Sequence, residues 1–300
     1  MNYVVAVDVG GTEIKSALVD SDFNVISTST VATPKSDSMG EETVKKIKVI
    51  TEEFAQQQTI SAVGLIVPGS LDEPSGISRW SGNLQWNNLP IRDLMHSGIG
   101  LPVAFGHDVR TAATAEMRSG AAKGAENAIF IPIGTGIAAA MIIEGAIRSG
   151  DGYGGEIGHI NVNGKYLCVC GKMGCLEAAS STLAISNAYE ALSQKIGTTT
   201  EQISKLFVQG DPIAVEVWNE ATLVLARACE LLVTILAPEV IVFGGGLSNA
   251  GKILLDPISD YLNKSLTFQR KPRLEIAHYG AKAGMIGCAM LAFDCLEMEK

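Results

Sequence analysis

Apolar positions early in the chain come in short β-branched runs cut by glycine. Tyr3 to Asp8 stops at Val9-Gly10-Gly11-Thr12 and resumes from Ile14 to Asp20, which predicts two strands joined by a hairpin turn. Asn24 to Thr33 reads as a third strand, ended by Pro34. From Gly40 to Gln58 the period changes: Val44, Ile47, Ile50 and Phe54 share one helical face. A short buried strand, Ala62 to Val67, runs into Pro68-Gly69. Ser70 to Pro90 is rich in Gly, Asn, Ser and Trp and is expected to be an ordered functional loop. Val103 to Gly106 is a strand that delivers His107-Asp108, and Thr111 to Ser119 a helix stopped by Gly120.

The second half begins in the same manner. Asn127 to Ile133 is a strand, Gly134-Thr135-Gly136 a tight turn, and Ala138 to Glu144 the returning strand. Repetition of strand, glycine turn and strand suggests two related lobes from an old duplication. Helices are expected over about 178–195, 200–208 and 212–236. A strand from Glu239 to Phe243 then enters Gly244-Gly245-Gly246. Asn249 to Lys264 is helical, Arg273 to Ala277 a strand, and Ala281 to Leu296 a closing helix. The pattern is α/β with mixed sheets, divided into lobes at 1–122 and 123–300, the last helix packing back on the first lobe.

Composition narrows the function. Of 300 residues 47% are hydrophobic, enough for a sizeable core, and the net charge of −9 argues against a nucleic-acid surface. The most apolar region, Ala221 to Phe243, contains Arg227, Glu230, Pro238 and Glu239, so a buried helix and strand are expected there, not a membrane span. Met1 leads almost directly into a strand, leaving no room for a signal peptide. Cys229, Cys288 and Cys295 lie on apolar helical patterns and read as core thiols. A soluble, reduced, cytoplasmic protein is expected.

The densest chemistry lies between Gly154 and Glu177. Half of the six cysteines, Cys168, Cys170 and Cys175, fall within eight residues, with His159 upstream. One imidazole and three thiolates make a closed structural zinc set; the alternative is a disulfide plus a spare thiol. Glu156 and Glu177 flank the loop as acceptors for the hydroxyls of a polyhydroxylated ligand, or as solvated charges. Asp8-Val-Gly-Gly-Thr12 has the parts of a phosphate-binding hairpin. The N–H groups of Gly10, Gly11 and Thr12 can approach an anion, Asp8 can hold Mg²⁺ through water, and Lys15 can add charge. An ordinary β-turn is the plainer reading. Gly134-Thr135-Gly136 offers the same geometry again, and Gly244 to Gly246 a bare surface for a nucleotide base. Asp108 suits either a helix N-cap or a catalytic base.

Together these motifs resemble the ROK family (repressor, open reading frame, kinase), and within it the bacterial glucokinase-like sugar kinases. The most specific match is Glu156-Ile-Gly-His159 followed by Cys168-x-Cys170-Gly-x-x-Gly-Cys175-x-Glu177. Supporting it are Asp8-x-Gly-Gly-Thr12, Val67-Pro68-Gly69, Asn83-Leu84-x-Trp86, His107-Asp108, Gly134-Thr135-Gly136 and Phe243-Gly-Gly-Gly246. The resemblance implies the actin-like ATPase (ribonuclease H-like) fold, with two lobes closing on ATP and a sugar. It makes Asp108 the catalytic base, and places Gly69, Asn83, His107, Glu156, His159 and Glu177 at the sugar. It also implies a homodimer. His107 stands where many members carry Asn, and the loop between His159 and Cys168 is about one residue shorter than usual. The expected activity is ATP- and Mg²⁺-dependent phosphorylation of a hexose 6-hydroxyl, glucose first. Alternatives are N-acetylmannosamine, fructose, mannose or allose as acceptor, polyphosphate as donor, or a non-catalytic sugar sensor.

Overall fold

The structure, a computed structural model, describes residues 2–298. The chain forms two compact units, Met1–Glu116 with Ser149–Gly154 and Lys282–Lys300, and Met117–Arg148 with Gly155–Ala281.

In the first unit β1 (Tyr3–Val9) and β2 (Glu13–Asp20) pair antiparallel through the glycine turn, with Asp8 opposite Lys15. β3 (Val25–Ala32) extends the sheet antiparallel to β2. After α1 (Glu41–Ala55), β4 (Ile60–Val67) runs parallel to β1. Ser70–Asp72 (β5), Ile77–Ser81 (β6) and Trp86–Leu89 (β7) form a separate three-stranded sheet. Then come α2 (Ile91–Ile99), β8 (Val103–His107) parallel to β4, and α3 (Asp108–Ser119). The main sheet has the order β3-β2-β1-β4-β8.

Alternation along β1 decides what lies on each face. Val5 and Val7 join Ile47, Ile50 and Phe54 of α1 and Met95 of α2 in one core, while Val4 and Ala6 point to the other face. Edge strand β3, rich in Ser and Thr, leaves most of its side chains in water.

Two stretches depart from the expectation. Ser70 to Pro90 is a small sheet, not a loop, and Leu71, Leu84, Trp86 and Leu89 anchor it in the core. Trp86 also donates its indole N–H to Asp37 O at 2.8 Å. Strands of three to five residues, set among Gly, Asn and Ser, are too short for their alternation to show. Helix α2 was not anticipated either; its apolar Ile91 and Met95 are buried, but nine residues offer little periodicity.

The second unit repeats the arrangement. β9 (Ala128–Pro132), β10 (Ala140–Ile143) and β11 (Ala146–Arg148) pair antiparallel in sequence. The helix expected over 178–195 is two, α4 (Glu177–Ser180) and α5 (Thr182–Ser193), because Ser181 turns extended and caps α5 by accepting from Ala184 N–H. α6 (Thr200–Val208) and α7 (Pro212–Leu236) follow, α7 capped by Asp211 with Pro212 in its first turn. β12 (Val240–Gly244) lies parallel to β9; a 3-10 turn, Gly246–Ala250, then precedes α8 (Lys252–Ser265). β13 (Arg273–Ile276) completes the order β11-β10-β9-β12-β13.

The chain closes with α9 (Ala283–Met298) in the first unit, where Cys288, Ala289 and Ala292 pack on Val4, Ala6 and Ala62. Cys229 and Cys288 are buried and Cys295 half-buried. Among the described residues no helix is long and apolar enough to cross a membrane.

Candidate active site

The β1–β2 turn is held from behind by Thr33, the residue after β3. Gly10 N–H donates to Glu13 O at 3.0 Å, and Thr33 both donates its hydroxyl to Gly10 O at 2.6 Å and its N–H to Thr12 O at 2.9 Å. Gly11 and Thr12 are left exposed at the tip. Burial pushes the Asp8 carboxyl above the usual range, and Lys15 opposes that shift from the neighbouring strand. A carboxyl destabilised by desolvation gains by ionising against a cation, so Asp8 fits the Mg²⁺ role. A Cβ on Gly11 would lie 3.0 Å from Asn83 Cβ, which places the turn directly against the residue expected to read sugar. Gly69, in the left-handed region at φ 112°, carries the chain out of β4 into the small sheet.

At the junction of β8 and α3, His107 and Asp108 share one donor. Val109 N–H points to Asp108 Oδ1 at 2.7 Å and to His107 Nδ1 at 3.2 Å, and these two atoms sit 3.1 Å apart. Nδ1 thus lies within hydrogen-bond reach of both groups, accepting from Val109 N–H in one tautomer and donating to the Asp108 carboxylate in the other. Burial, assisted by the nearby Arg110, pushes His107 down to about 3, so it is neutral at working pH. Asp108 thus faces an uncharged neighbour. The capping role weighed for Asp108 is shared with His107, whose Nδ1 meets the second N–H of the helix.

Sequence reasoning missed two residues here. Glu73, in the β5–β6 turn, accepts from His107 N–H at 2.9 Å and from Arg110 Nε at 3.2 Å. An acid inside a polar stretch and an arginine inside a helix carry no local signal of meeting.

In the second unit, Gly134 N–H donates to Gly136 O at 3.0 Å, and Ile133 bridges Ile137 to close the turn. The third glycine cluster joins it directly: Ile133 N–H donates to Gly244 O at 2.9 Å, and Leu247 N–H to Ile133 O at 3.2 Å. Thr182 N–H, at the start of α5, donates to Gly134 O at 2.8 Å. These contacts gather Thr135, Gly246, Asn249, Asn187 and Glu190 around a cavity of about 540 Å³, within the range for small-molecule sites. Gly245 stands beside this wall, at the junction of β12 and the 3-10 turn. The walls from α5 and the loop before α6 were not anticipated, because no motif marks them.

The cysteine loop folds as a two-stranded twist, with Val162 N–H to Gly174 O at 3.0 Å and Leu176 N–H to Ile160 O at 3.0 Å. Gly171 and Gly174 both take φ 85°, and the first of them lets Cys168 N–H reach forward to Lys172 O within one turn. The ligand atoms of His159, Cys168, Cys170 and Cys175 lie within 4.8 Å of one another. Cys170 Sγ is 3.6 Å from Cys175 Sγ, and Cys168 Sγ is 3.7 Å from His159 Nδ1. A tetrahedron with Zn–S bonds of about 2.3 Å has edges of roughly 3.7 Å, so the donor set fits zinc, and the thiols are free. Burial pushes the Cys175 thiol up to about 12, a cost that a divalent cation among the sulfurs removes.

Two residues after Cys175, Glu177 opens α4 and its Oε2 accepts from Ile137 N–H at 2.9 Å. One of its oxygens is therefore committed to the glycine turn. Glu156 is exposed, and its carbonyl accepts from His159 N–H at 3.1 Å in a 3-10 turn.

Residues 4–294 match the ROK family. The chain is 31% identical over 313 residues to a glucokinase of Streptomyces coelicolor, covering 97% of this chain and 98% of that protein. It is 29% identical over 301 residues to an N-acetylmannosamine kinase of Pasteurella multocida, covering 97% of each. Among solved structures it is similar to a ROK family glucokinase from Streptomyces griseus in complex with glucose and AMPPNP, with TM-score 0.83, 30% identity and coverage of 97% and 99%. The fold is the actin-like ATPase fold that the motifs implied.

Proposed function

Because the chain belongs to the ROK family, we propose that it is a hexose kinase, transferring the γ-phosphoryl group of ATP to the 6-hydroxyl of glucose. The observation that carries this reading is the Asp108 carboxylate, fixed by Val109 N–H beside a histidine held neutral. A protonated neighbour would pair with that carboxylate and weaken it as a proton acceptor.

Asp108 removes the hydroxyl proton as the sugar oxygen attacks phosphorus. Asn83 and His107 orient the sugar, together with Gly69, Glu156, Glu177 and His159 Nε2. His159 Nδ1 and the three thiolates would hold a structural Zn²⁺, which fixes the imidazole's orientation. The N–H groups of Gly10, Gly11 and Thr12, and of Gly134, Thr135 and Gly136, receive phosphate oxygens, with Lys15 adding charge. Asp8 would hold Mg²⁺, which when bound neutralises the triphosphate. Gly244, Gly245, Gly246 and the adjoining cavity accept the nucleoside.

A coupled kinase assay over a panel of hexoses and N-acetylmannosamine, with ATP and polyphosphate in parallel, tests the reading. The expected result is the highest kcat/KM for glucose with ATP. Higher kcat/KM on N-acetylmannosamine would move the assignment to that sugar. Sugar binding without turnover on any of them would make the protein a sensor.

A further inference from the structure

We infer that Glu73 is a positioning residue for Asp108: one carboxylate grips the chain on both sides of that residue and fixes the first turn of α3. This rests on the reading of Asp108 as the base.

The two contacts straddle Asp108. Glu73 Oε1 accepts from the N–H of His107, one residue before it, and Oε2 accepts from Nε of Arg110, two residues after it. β8 is the edge of its sheet, so an N–H at its end has no further strand to bond; Glu73 supplies that partner. The turn that carries Glu73 is itself braced. Asp72 Oδ1 accepts from Ser75 N–H at 3.1 Å, Arg79 pairs with Asp72 at 3.1 Å, and Gly76 N–H donates to Glu73 O at 3.2 Å. Arg92 N–H, in α2, donates to Gly76 O at 3.2 Å, so the turn is tied to a helix as well. The small sheet thus serves as a rigid base from which Glu73 reaches the β8–α3 junction.

Packing alone does not call for this pair. Arg110 is only 5% exposed, and its Nη2 has no hydrogen-bond partner among the described residues. Burying a guanidinium with incomplete satisfaction is poorer for stability than filling the same space with an apolar side chain. What the charged pair supplies is direction: two bonds from one planar group hold Val109 N–H, and with it Asp108 Oδ1, in a fixed place. Displacement of a reacting group by about 1 Å can cost about 10²-fold in rate.

The test is a cycle of Glu73→Gln made in the wild-type and Asp108→Asn backgrounds, reading kcat, with thermal melting to check folding. In the wild type Glu73→Gln is expected to lower kcat about 10- to 100-fold. In the Asp108→Asn background it is expected to lower residual turnover by less than about twofold, because a residue acting through Asp108 has nothing left to position. Should Glu73→Gln strand Arg110 and unfold the chain, the pair Glu73→Ala, Arg110→Leu removes both charges and is run through the same cycle with the same expectation. Equal fold-losses in both backgrounds, or wild-type kcat in Glu73→Gln, would overturn the inference and leave the base intact. Wild-type kcat in Asp108→Asn itself would remove the base, and this inference with it.

Discussion

The two units share a strand order, β3-β2-β1-β4-β8 in one and β11-β10-β9-β12-β13 in the other, yet they differ in what stands at the strand ends. In the first, carboxylates occupy those positions: Asp8 at the close of β1 and Asp108 just beyond β8. In the second, Ile133 follows β9 and Gly244 ends β12, and the carboxylate at the glycine turn comes from a distant loop, where Glu177 meets Ile137 N–H. Strand pairing and handed crossovers dictate the shared frame. The side chains at the ends decide the chemistry. On this reading the first unit handles protons and the cation, while the second offers neutral backbone to phosphates and a cavity to the nucleoside.

Substituting Asp108→Asn should break the comparison most severely. Turnover is expected to fall about 10²–10⁴-fold with the glucose dissociation constant changed only a few-fold, as steady-state kinetics and calorimetry would show. Undiminished kcat would place the base elsewhere.

Next in size, Cys175→Ser should act on the second unit alone. Metal analysis is expected to drop from one zinc per chain to none. The melting temperature is expected to fall by roughly 3–5 °C, the shift that a loss of about 2–3 kcal/mol produces in a chain of this size. Glucose affinity should weaken with it. A wild-type protein without metal would dismiss the zinc loop from the account.

A smaller effect is expected from Glu177→Ala, which leaves Ile137 N–H without its acceptor. A charge-assisted hydrogen bond of about 1.5 kcal/mol converts to a roughly tenfold rise in KM for ATP. If Glu177 served the sugar only, KM for glucose would rise while that for ATP stayed put.

The smallest effect sharpens the picture of the first unit. His107 binds a proton near 6.5 when unfolded but only at about 3 when folded. The unfolded chain therefore takes up more protons between those values, and stability declines as pH drops from 6.5 toward 3. Urea unfolding at pH 7 and pH 5 should show a smaller difference in His107→Asn than in the wild type. An unchanged difference would mean that other groups carry the acid sensitivity.

Legibility followed the range of the interactions. The strands around both glycine turns could be read because β-branched runs and glycine punctuation are local signals. The same holds for the cysteine loop, where three ligands fall within eight residues. The sheet from Ser70 to Leu89 escaped notice because its three strands are short and its buried side chains, Leu71, Leu84, Trp86 and Leu89, are scattered among turn residues. Glu73 and Arg110 escaped because 37 residues separate them. Nothing in the spacing of two charges says that they will meet.

By itself, the sequence determined the alternation of strands and helices, the repeated glycine turns, the thiol-rich loop and the family resemblance, since each depends on neighbours a few positions apart. Only the tertiary structure decided that His107 is neutral, that Glu177 serves the second turn, and that Glu73 grips both sides of Asp108. Those facts arise from burial and from hydrogen bonds closed over long stretches of chain, and such contacts exist only once the sheets have packed.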